Sequence, residues 1–263
     1  MRIAAVKSFE ESMARGAPIA FGLIVIGDEV LNGRRQDRHL GTFKEMVATR
    51  GHQLAWCLIL PDDPAVLTRQ LSASMASRAP VFCCGGIGAT PDDHTRACAA
   101  AAAGVELARH AEAARLLEER FGADAYPQRI RMAELPSGAS LIPNPVNQVP
   151  GFGINAHWFL PGFPQMAWPM AEWVLDHHYT RAAEALHERA LVVRGTSESR
   201  LIPLMERLGV QFPGLKLFSL PHLGENEADR HILLGFRGRG DLSGAMAALR
   251  EALAAEGVEY REH

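Results

Sequence analysis

The sequence predicts an α/β protein with a mainly parallel sheet, followed by a small α+β unit. Two observations carry this expectation. Short apolar, β-branched runs alternate with helix-length amphipathic segments over the first two-thirds of the chain, the pattern of βαβ crossovers. After about residue 185 the alternation restarts on a smaller scale.

Ile19 to Ile26 (IAFGLIVI) is a continuous apolar run ending at Gly27, as expected of a strand buried on both faces. His39 to Arg50 places Leu40, Phe43, Met46 and Val47 at helical spacing, and Gly51 follows as a stop. Gln53 to Leu60 reads as the second strand. Asp63 before Pro64 is an N-cap followed by an N1 proline, opening a helix to Ser77. Val81 to Cys84 is a third buried strand, and an alanine-rich helix is expected from Pro91. A helix over Glu112 to Phe121 comes next. The Pro-, Gly- and Asn-rich stretch from Pro136 to Gly153 is too long for a routine turn. His157 to Leu160 is a strand, and Met166 to Tyr179 a helix. In the tail, strands are expected at Arg189 to Val193, Leu215 to Leu220 and His231 to Phe236, with helices at Ser197 to Leu208 and Leu242 to Ala255. The domains are placed at 18–180 and 187–263.

The chain has 263 residues, a net charge of −3 and 22% charged residues. That balance gives no electrostatic reason for a nucleic-acid or membrane partner. No apolar run approaches the roughly 18 residues that span a bilayer. The N-terminal MRIAAVKSFEESMARG lacks an apolar core, so no secretory signal is expected there and a cytoplasmic location is. The four cysteines, Cys57, Cys83, Cys84 and Cys98, fit neither a disulfide framework nor a zinc site and are expected to be reduced thiols.

Three loops have the composition of a ligand site. The first is Gly85-Gly86-Ile87-Gly88-Ala89-Thr90-Pro91-Asp92-Asp93-His94-Thr95, between a strand and a helix. Glycines turn the backbone tightly and present N–H groups to an anion, and a helix N-terminus adds positive potential. Asp92 and Asp93 repel a bare phosphate, which calls for a divalent metal between carboxylate and phosphate. The same residues fit a capping box, with Thr90 as N-cap, Pro91 at N1 and Asp93 at N3; capping and ligand binding can coexist. The second loop, Gly27-Asp28-Glu29-Val30-Leu31-Asn32-Gly33, lies at the carboxyl end of the first strand, the edge where open parallel sheets bind ligands. An isolated acid pair there is more often a solvated helix start. The third is Pro143-Asn144-Pro145-Val146-Asn147-Gln148-Val149-Pro150-Gly151 with the nearby Pro161-Gly162-Phe163-Pro164, where prolines stiffen the chain and asparagines offer neutral donors and acceptors.

Together these loops resemble one family. GDEVLNG is similar to the GDELLxG of CinA-type competence/damage-inducible proteins, GGIGATPDDHT to their GGLGPTxDDxT, NPVNQVPGF to their NPxGxAPGF, and PGFP to their PGxP. The order along the chain matches, and RGTSESRLIPLMERL resembles the segment that follows the domain in those proteins. Differences stand beside the matches: Ala89 replaces a proline, Gln36-Asp37-Arg38-His39 replaces an Asp-Thr-Asn, Asn147 a glycine, and Met166 a glutamate. The resemblance implies a three-layer α/β/α domain of the MoaB/Mog type. It implies a small phosphate-bearing ligand, either molybdopterin or a nucleotide pyrophosphate such as ADP-ribose. The ADP-ribose case would be hydrolysed with a divalent metal (Mg or similar). It places Asp28, Glu29, Asp92 and Asp93 in the chemistry, with the metal on Asp92 and Asp93. Gly27, Gly33, Gly85, Gly86, Gly88, Thr90, Thr95, Asn144, Gly151, Pro161 and Gly162 would line the ligand. It also implies a homo-oligomer. The nicotinamide-mononucleotide deamidase domain of long CinA proteins is not expected here, because the chain ends before it.

Overall fold

The computed structural model describes residues 17–182, 186–224 and 229–263. The signal-free reading of MRIAAVKSFEESMARG therefore lies outside the described residues. Cα packing divides the chain into two compact units, Met1–Ala183 and Glu184–His263.

The first unit is built on a six-stranded sheet. Strand β1 (Ala20–Ile26) lies between β2 (Gln53–Leu60) and β3 (Val81–Cys84), and β8 (His157–Leu160) continues beside β3; these three pairings are parallel. Strands β7 (Gly151–Ile154) and β6 (Ser140–Ile142) complete it through two antiparallel pairings. The continuous apolar run of β1 now has its reason. Leu23 and Val25 pack with Phe43, Met46 and Val47 of α2 (His39–Ala48) and with Met170, Val174 and Leu175 of α6 (Pro164–His178). Ile24 and Ile26 face the other way, onto Leu67 and Leu71 of α3 (Pro64–Ser77), Cys98 and Ala99 of α4 (Thr95–Ala103), and Leu117 of α5 (Ala111–Phe121). A strand covered on both faces must be apolar at every position, and the three layers follow. A four-residue helix, α1 (Asp28–Leu31), completes the set of helices before α2.

Local signals explain the element ends. Asp63 Oδ1 accepts from the Val66 amide at 2.8 Å with Pro64 at the first helical position, so α3 starts as its cap predicts. Gly51 follows α2 at φ 76°, where glycine carries no side-chain penalty. The stretch 136–153, read as a long loop, instead contains β6 and the start of β7. A second small sheet joins β4 (Leu107–Arg109) to β5 (Glu134–Pro136). Strands of three or four residues leave too short a period to be read.

In the second unit an antiparallel sheet runs in the order β10 (Lys216–His222), β11 (His231–Arg239), β9 (Leu186–Val193), β12 (Tyr260–Glu262). Helices α7 (Glu198–Gln211) and α8 (Ser243–Ala255) pack Leu201, Leu204, Leu208, Met246 and Leu249 against Leu191, Val193, Leu234 and Phe236. No helix among the described residues is long and apolar enough to cross a membrane.

One buried polar pair sits in the first unit's core. His157 Nε2 and Ser74 Oγ are 2.8 Å apart, and His157 Nδ1 lies 3.0 Å from the Asn155 carbonyl. Burial lowers the His157 pKa to about 4. The folded state therefore binds this proton less readily than the unfolded chain. The associated stability is present above the ordinary histidine value and is lost as pH falls from about 6.5 toward 4, a loss of about 3 kcal/mol. Urea unfolding at several pH values across that window should show the extra slope in the wild type and not in His157→Gln; equal slopes would remove this assignment.

Candidate functional site

Strand direction brings the loops together. In the parallel set, Ile26 pairs with Leu60, Val25 with Cys84, and Cys84 with Leu160. Strands β1, β2, β3 and β8 therefore end level at one edge of the sheet. The chain leaves them at Gly27, Pro61, Gly85 and Pro161. Strand β6 runs the same way, because two antiparallel steps separate it from β8, and its Ile142 leads to Asn144 at the same edge. The chain visits β2 on one side of β1 and then β3 on the other, which opens a crevice at the strand ends.

A cavity of about 570 Å³ fills that crevice. Of the residues expected from the sequence, Gly27 and Glu29 line it from the first loop, and Gly85, Gly86, Gly88, Thr90, Asp92 and Asp93 from the glycine loop. Asn144, Pro161 and Gly162 close the far side. Four expected residues lie off its wall. The Asp28 amide donates to Asp62 Oδ2 at 3.0 Å, and its side chain does not line the cavity. Gly33 is exposed, with nothing near it. Gly151 lies in β7, where a side chain would run into the Phe159 carbonyl and Met170, so its role is packing. Thr95 is fully buried behind Gly86; its amide donates to the Gly86 carbonyl at 3.1 Å and its Oγ1 has no hydrogen-bond partner.

The glycine loop is shaped by close approach. A side chain at Gly85 would collide with the Ile26 carbonyl oxygen, and one at Gly86, which has φ +66°, with Thr95 Oγ1. The Gly85 amide donates to Leu160. Among the described residues the amides of Gly86, Ile87, Gly88 and Ala89 donate to no protein acceptor. Four consecutive free amides at a strand end can receive an anion.

The helix expected from Pro91 begins at Thr95 instead, with His94 as its N-cap. Asp93 Oδ2 accepts from the Thr90 amide at 2.8 Å and from the Thr90 hydroxyl, closing a separate turn. The first helical amide, that of Thr95, is held by Gly86, so residues 90–93 cannot join the helix. The capping chemistry is present, but it shapes the loop rather than the helix.

Two contributors carry no motif that would mark them in one sequence. Asp62, just past β2, lines the cavity beside the glycine loop, its Oδ1 3.6 Å from where a side chain on Gly86 would begin. Burial pushes its carboxyl above the ordinary value, opposed by the hydrogen bond from the Asp28 amide; the charges of Asp28, Glu29 and Asp92 push it up further. Its place after a strand was the available signal. Arg96, in α4, is buried. Its Nη2 donates to Gly88 O at 2.9 Å, and its Nη1 to Arg131 O at 2.5 Å and Glu134 O at 3.0 Å. It fastens the glycine loop to the 3₁₀ helix Arg129–Ala133 and to β5.

Among the described residues no three His, Cys, Asp or Glu side chains are grouped closely enough to cage a metal. Glu29, Asp62 and Asp92 instead line the same cavity as the glycine loop. That donor set suits a hard cation held by one or two carboxylates and completed by phosphate oxygens and water.

Replacing Arg96 by Met should take this donor from the carbonyls of Gly88 and Glu134, while Arg131 O keeps the Glu134 amide. At about 1 kcal/mol or more for each hydrogen bond lost, urea unfolding should show a loss of about 2 kcal/mol or more. A loss under about 1 kcal/mol would show that the loop holds its shape unaided.

Comparison with known proteins agrees with this architecture. The family described as "Probable molybdopterin binding domain" matches residues 22–180, more than half of the chain. A CinA-like protein of Geobacter sp. (strain M21) is 34% identical over 192 residues, covering 70% of this chain and 46% of that protein. The chain thus spans about half the length of that relative. A protein of Pyrobaculum calidifontis is 28% identical over 213 residues, covering 78% of this chain and 81% of its own. The crystal structure of the protein CinA, of unknown function, from Thermoplasma acidophilum superposes with a TM-score of 0.56 at 25% identity, over 60% of this chain and 97% of that one. The chain therefore belongs to the family described as "Probable molybdopterin binding domain" (MoaB/Mog), and it is similar to CinA-like proteins.

Proposed function

We propose that the first unit is a metal-dependent hydrolase of a nucleotide pyrophosphate of the ADP-ribose type. The observation that carries this reading is that the unpartnered amides from Gly86 to Ala89 and the acids Glu29, Asp62 and Asp92 line one cavity. Asp92 and Asp62, which both line the cavity, would hold a divalent cation such as Mg²⁺. Asp93, committed to Thr90, shapes the loop instead. The cation, when bound, would neutralise charge developing on the phosphoryl oxygens. The loop amides would hold the non-reacting phosphate. Glu29 would orient a water for attack on phosphorus and take its proton as the P–O–P bridge breaks, leaving AMP and ribose 5-phosphate from ADP-ribose. Glu29 is itself oriented by Arg35, whose Nη1 lies 3.1 Å from its Oε1.

The family match favours a second reading, binding of molybdopterin without turnover, because the matched family is described by that ligand. The two separate in one assay. The purified chain is given ADP-ribose with Mg²⁺, Mn²⁺ or Co²⁺ and, separately, molybdopterin. Release of AMP that falls more than tenfold in Asp62→Asn and Asp92→Asn, at unchanged melting temperature, supports hydrolysis. Full turnover in both variants would remove the metal assignment, and molybdopterin binding without any turnover would leave the second reading.

Self-association belongs to the same proposal. The edge strand β2 exposes Leu58 and Ile59, at 37% and 40% of their surface. Light scattering at micromolar concentration should give a mass above the 28.7 kDa of one chain. A monomer mass would contradict it.

A further inference from the structure

The second unit holds a pair of imidazoles that take no part in the crevice of the first. His222 ends β10 and His231 begins β11, and the antiparallel register sets them directly opposite one another. Ile232, Leu234 and Phe236 of β11 pack toward α7 and α8. The alternation of a strand therefore turns His231, and His222 with it, to the other face of the sheet. The two ring centroids lie 4.6 Å apart, with the planes tilted by 34°. Among the described residues no other two histidines bring their rings into contact. His222 is exposed and His231 half-buried, and both line an open cavity of about 670 Å³ with Arg194, Pro221 and Asp229.

The rings are oriented as donors. His231 Nδ1 lies 2.8 Å from the Asp229 carbonyl, a bond in which the imidazole must donate, so Nδ1 carries the proton. In the neutral ring that leaves the Nε2 lone pair for another partner. A backbone carbonyl that fixes the tautomer in this way is a usual outer partner of a metal-bound histidine. His222 makes no hydrogen bond among the described residues, so either of its nitrogens can turn toward His231. Two nitrogens held about 2.0–2.1 Å from one metal ion stand about 3 Å apart. Side chains directly opposite in an antiparallel pair start about 4.5–5.5 Å apart at Cβ, and two tilted rings on that base can converge to such a bite. Ring contact alone gives little reason for the pair, because protonation of both imidazoles would set two like charges side by side.

We propose that His222 and His231 form a two-donor site for a late first-row divalent cation, Cu²⁺, Ni²⁺ or Zn²⁺, with water in its remaining positions. Imidazole suits these ions, whereas Mg²⁺ asks for oxygen. The pair is an open chelate on the sheet face and not a cage, in keeping with the lack of any three grouped His, Cys, Asp or Glu side chains among the described residues. Two donors hold an exchangeable ion, and the affinities follow the order Cu²⁺ above Ni²⁺ and Zn²⁺. The site lies within the second unit alone, and its nitrogen chemistry differs from the carboxylates of the crevice, so it stands or falls independently of the proposed hydrolysis.

The test titrates Ni²⁺ into the full chain by calorimetry, in the wild type, His222→Gln and His231→Gln. Glutamine keeps a polar side chain of similar reach without the imidazole donor, and melting temperatures check that each variant folds. The wild type should bind Ni²⁺ with a Kd below about 100 µM, and about a hundredfold excess of Mg²⁺ should leave that value unchanged. Each variant should bind at least tenfold more weakly. The paramagnetic resonance spectrum of bound Cu²⁺ should show two imidazole nitrogens in the wild type and one in His222→Gln; this count holds even where His231→Gln weakens the fold. The control His177→Gln, on the last turn of α6, should bind as the wild type does. No binding by the wild type at about 100 µM Ni²⁺ overturns the site. Wild-type affinity in both variants overturns it equally, as does a loss confined to the His177→Gln control.

Discussion

The ligand edge depends on one close approach. At Gly85 the backbone passes so near the Ile26 carbonyl that no side chain fits. Strands β1 and β3 pair in parallel up to that level, so the two chains leave the sheet in contact rather than splaying. The Gly85 amide is in turn bound to Leu160 on β8. A single residue thus joins the ends of three strands, and the loops that follow have nowhere to go but around one crevice. Any larger residue at 85 would push the glycine loop off β1 and open the cavity wall between Gly27 and Gly86.

The second constraint acts from behind. A loop with four free amides gains nothing from its own hydrogen bonds and would relax into other turns if left alone. Two groups prevent this without using those amides. Asp93 closes the turn back to Thr90, and Arg96 holds the Gly88 carbonyl from within the core. A buried guanidinium is costly unless its protons are used, and this one meets three carbonyls on three segments. The inward carbonyl of Gly88 and the turn at Thr90 are satisfied by the protein, whereas the amides of Gly86 to Ala89 remain for a ligand.

Much of the sheet was legible in the sequence because its strands are buried on both faces. Ile19 to Ile26 and Val81 to Cys84 read as strands by composition alone, and Asp63-Pro64 marked a helix start to the residue. What could not be read were β4 to β7, where runs of three or four residues are too short for a periodicity to develop. The start of α4 was misplaced for a different reason. Thr90-Pro91-x-Asp93 has the spacing of a capping box, and the side-chain bond it implies does form, but the amide of Thr95 is claimed by Gly86 across the loop. Among the site residues, the glycines and the acids of the glycine loop were legible through motif and strand position. Asp62 and Arg96 were not, since one follows an ordinary strand and the other sits in an ordinary alanine-rich helix. Gly33 and Gly151 show the converse: each stands in a motif, and neither reaches the cavity.

The charge around the crevice decides what it can hold. Glu29, Asp62, Asp92 and Asp93 line the cavity with Arg35 as the single cationic side chain among its lining residues. The Arg35 charge is already shared with Glu29. A phosphate about 6 Å from one carboxylate such as Asp62 meets a repulsion of about 3 kcal/mol at an effective dielectric constant of about 20. Hydrogen bonds from neutral amides to a charged group return about 1.5–3 kcal/mol each, so two or three loop amides and two or three carboxylates nearly cancel. The crevice by itself is therefore close to indifferent toward a bare phosphate. A divalent cation between the carboxylates and the phosphate turns their mutual repulsion into attraction to a shared charge without disturbing the amides. In the proposed function, selectivity for phosphate esters would come from the cation and the amides acting on the same oxygens, and a carboxylate ligand, with fewer oxygens to share between them, would gain less. Under the proposed function, the acids that make the glycine loop look unsuited to phosphate would make its affinity conditional on a metal.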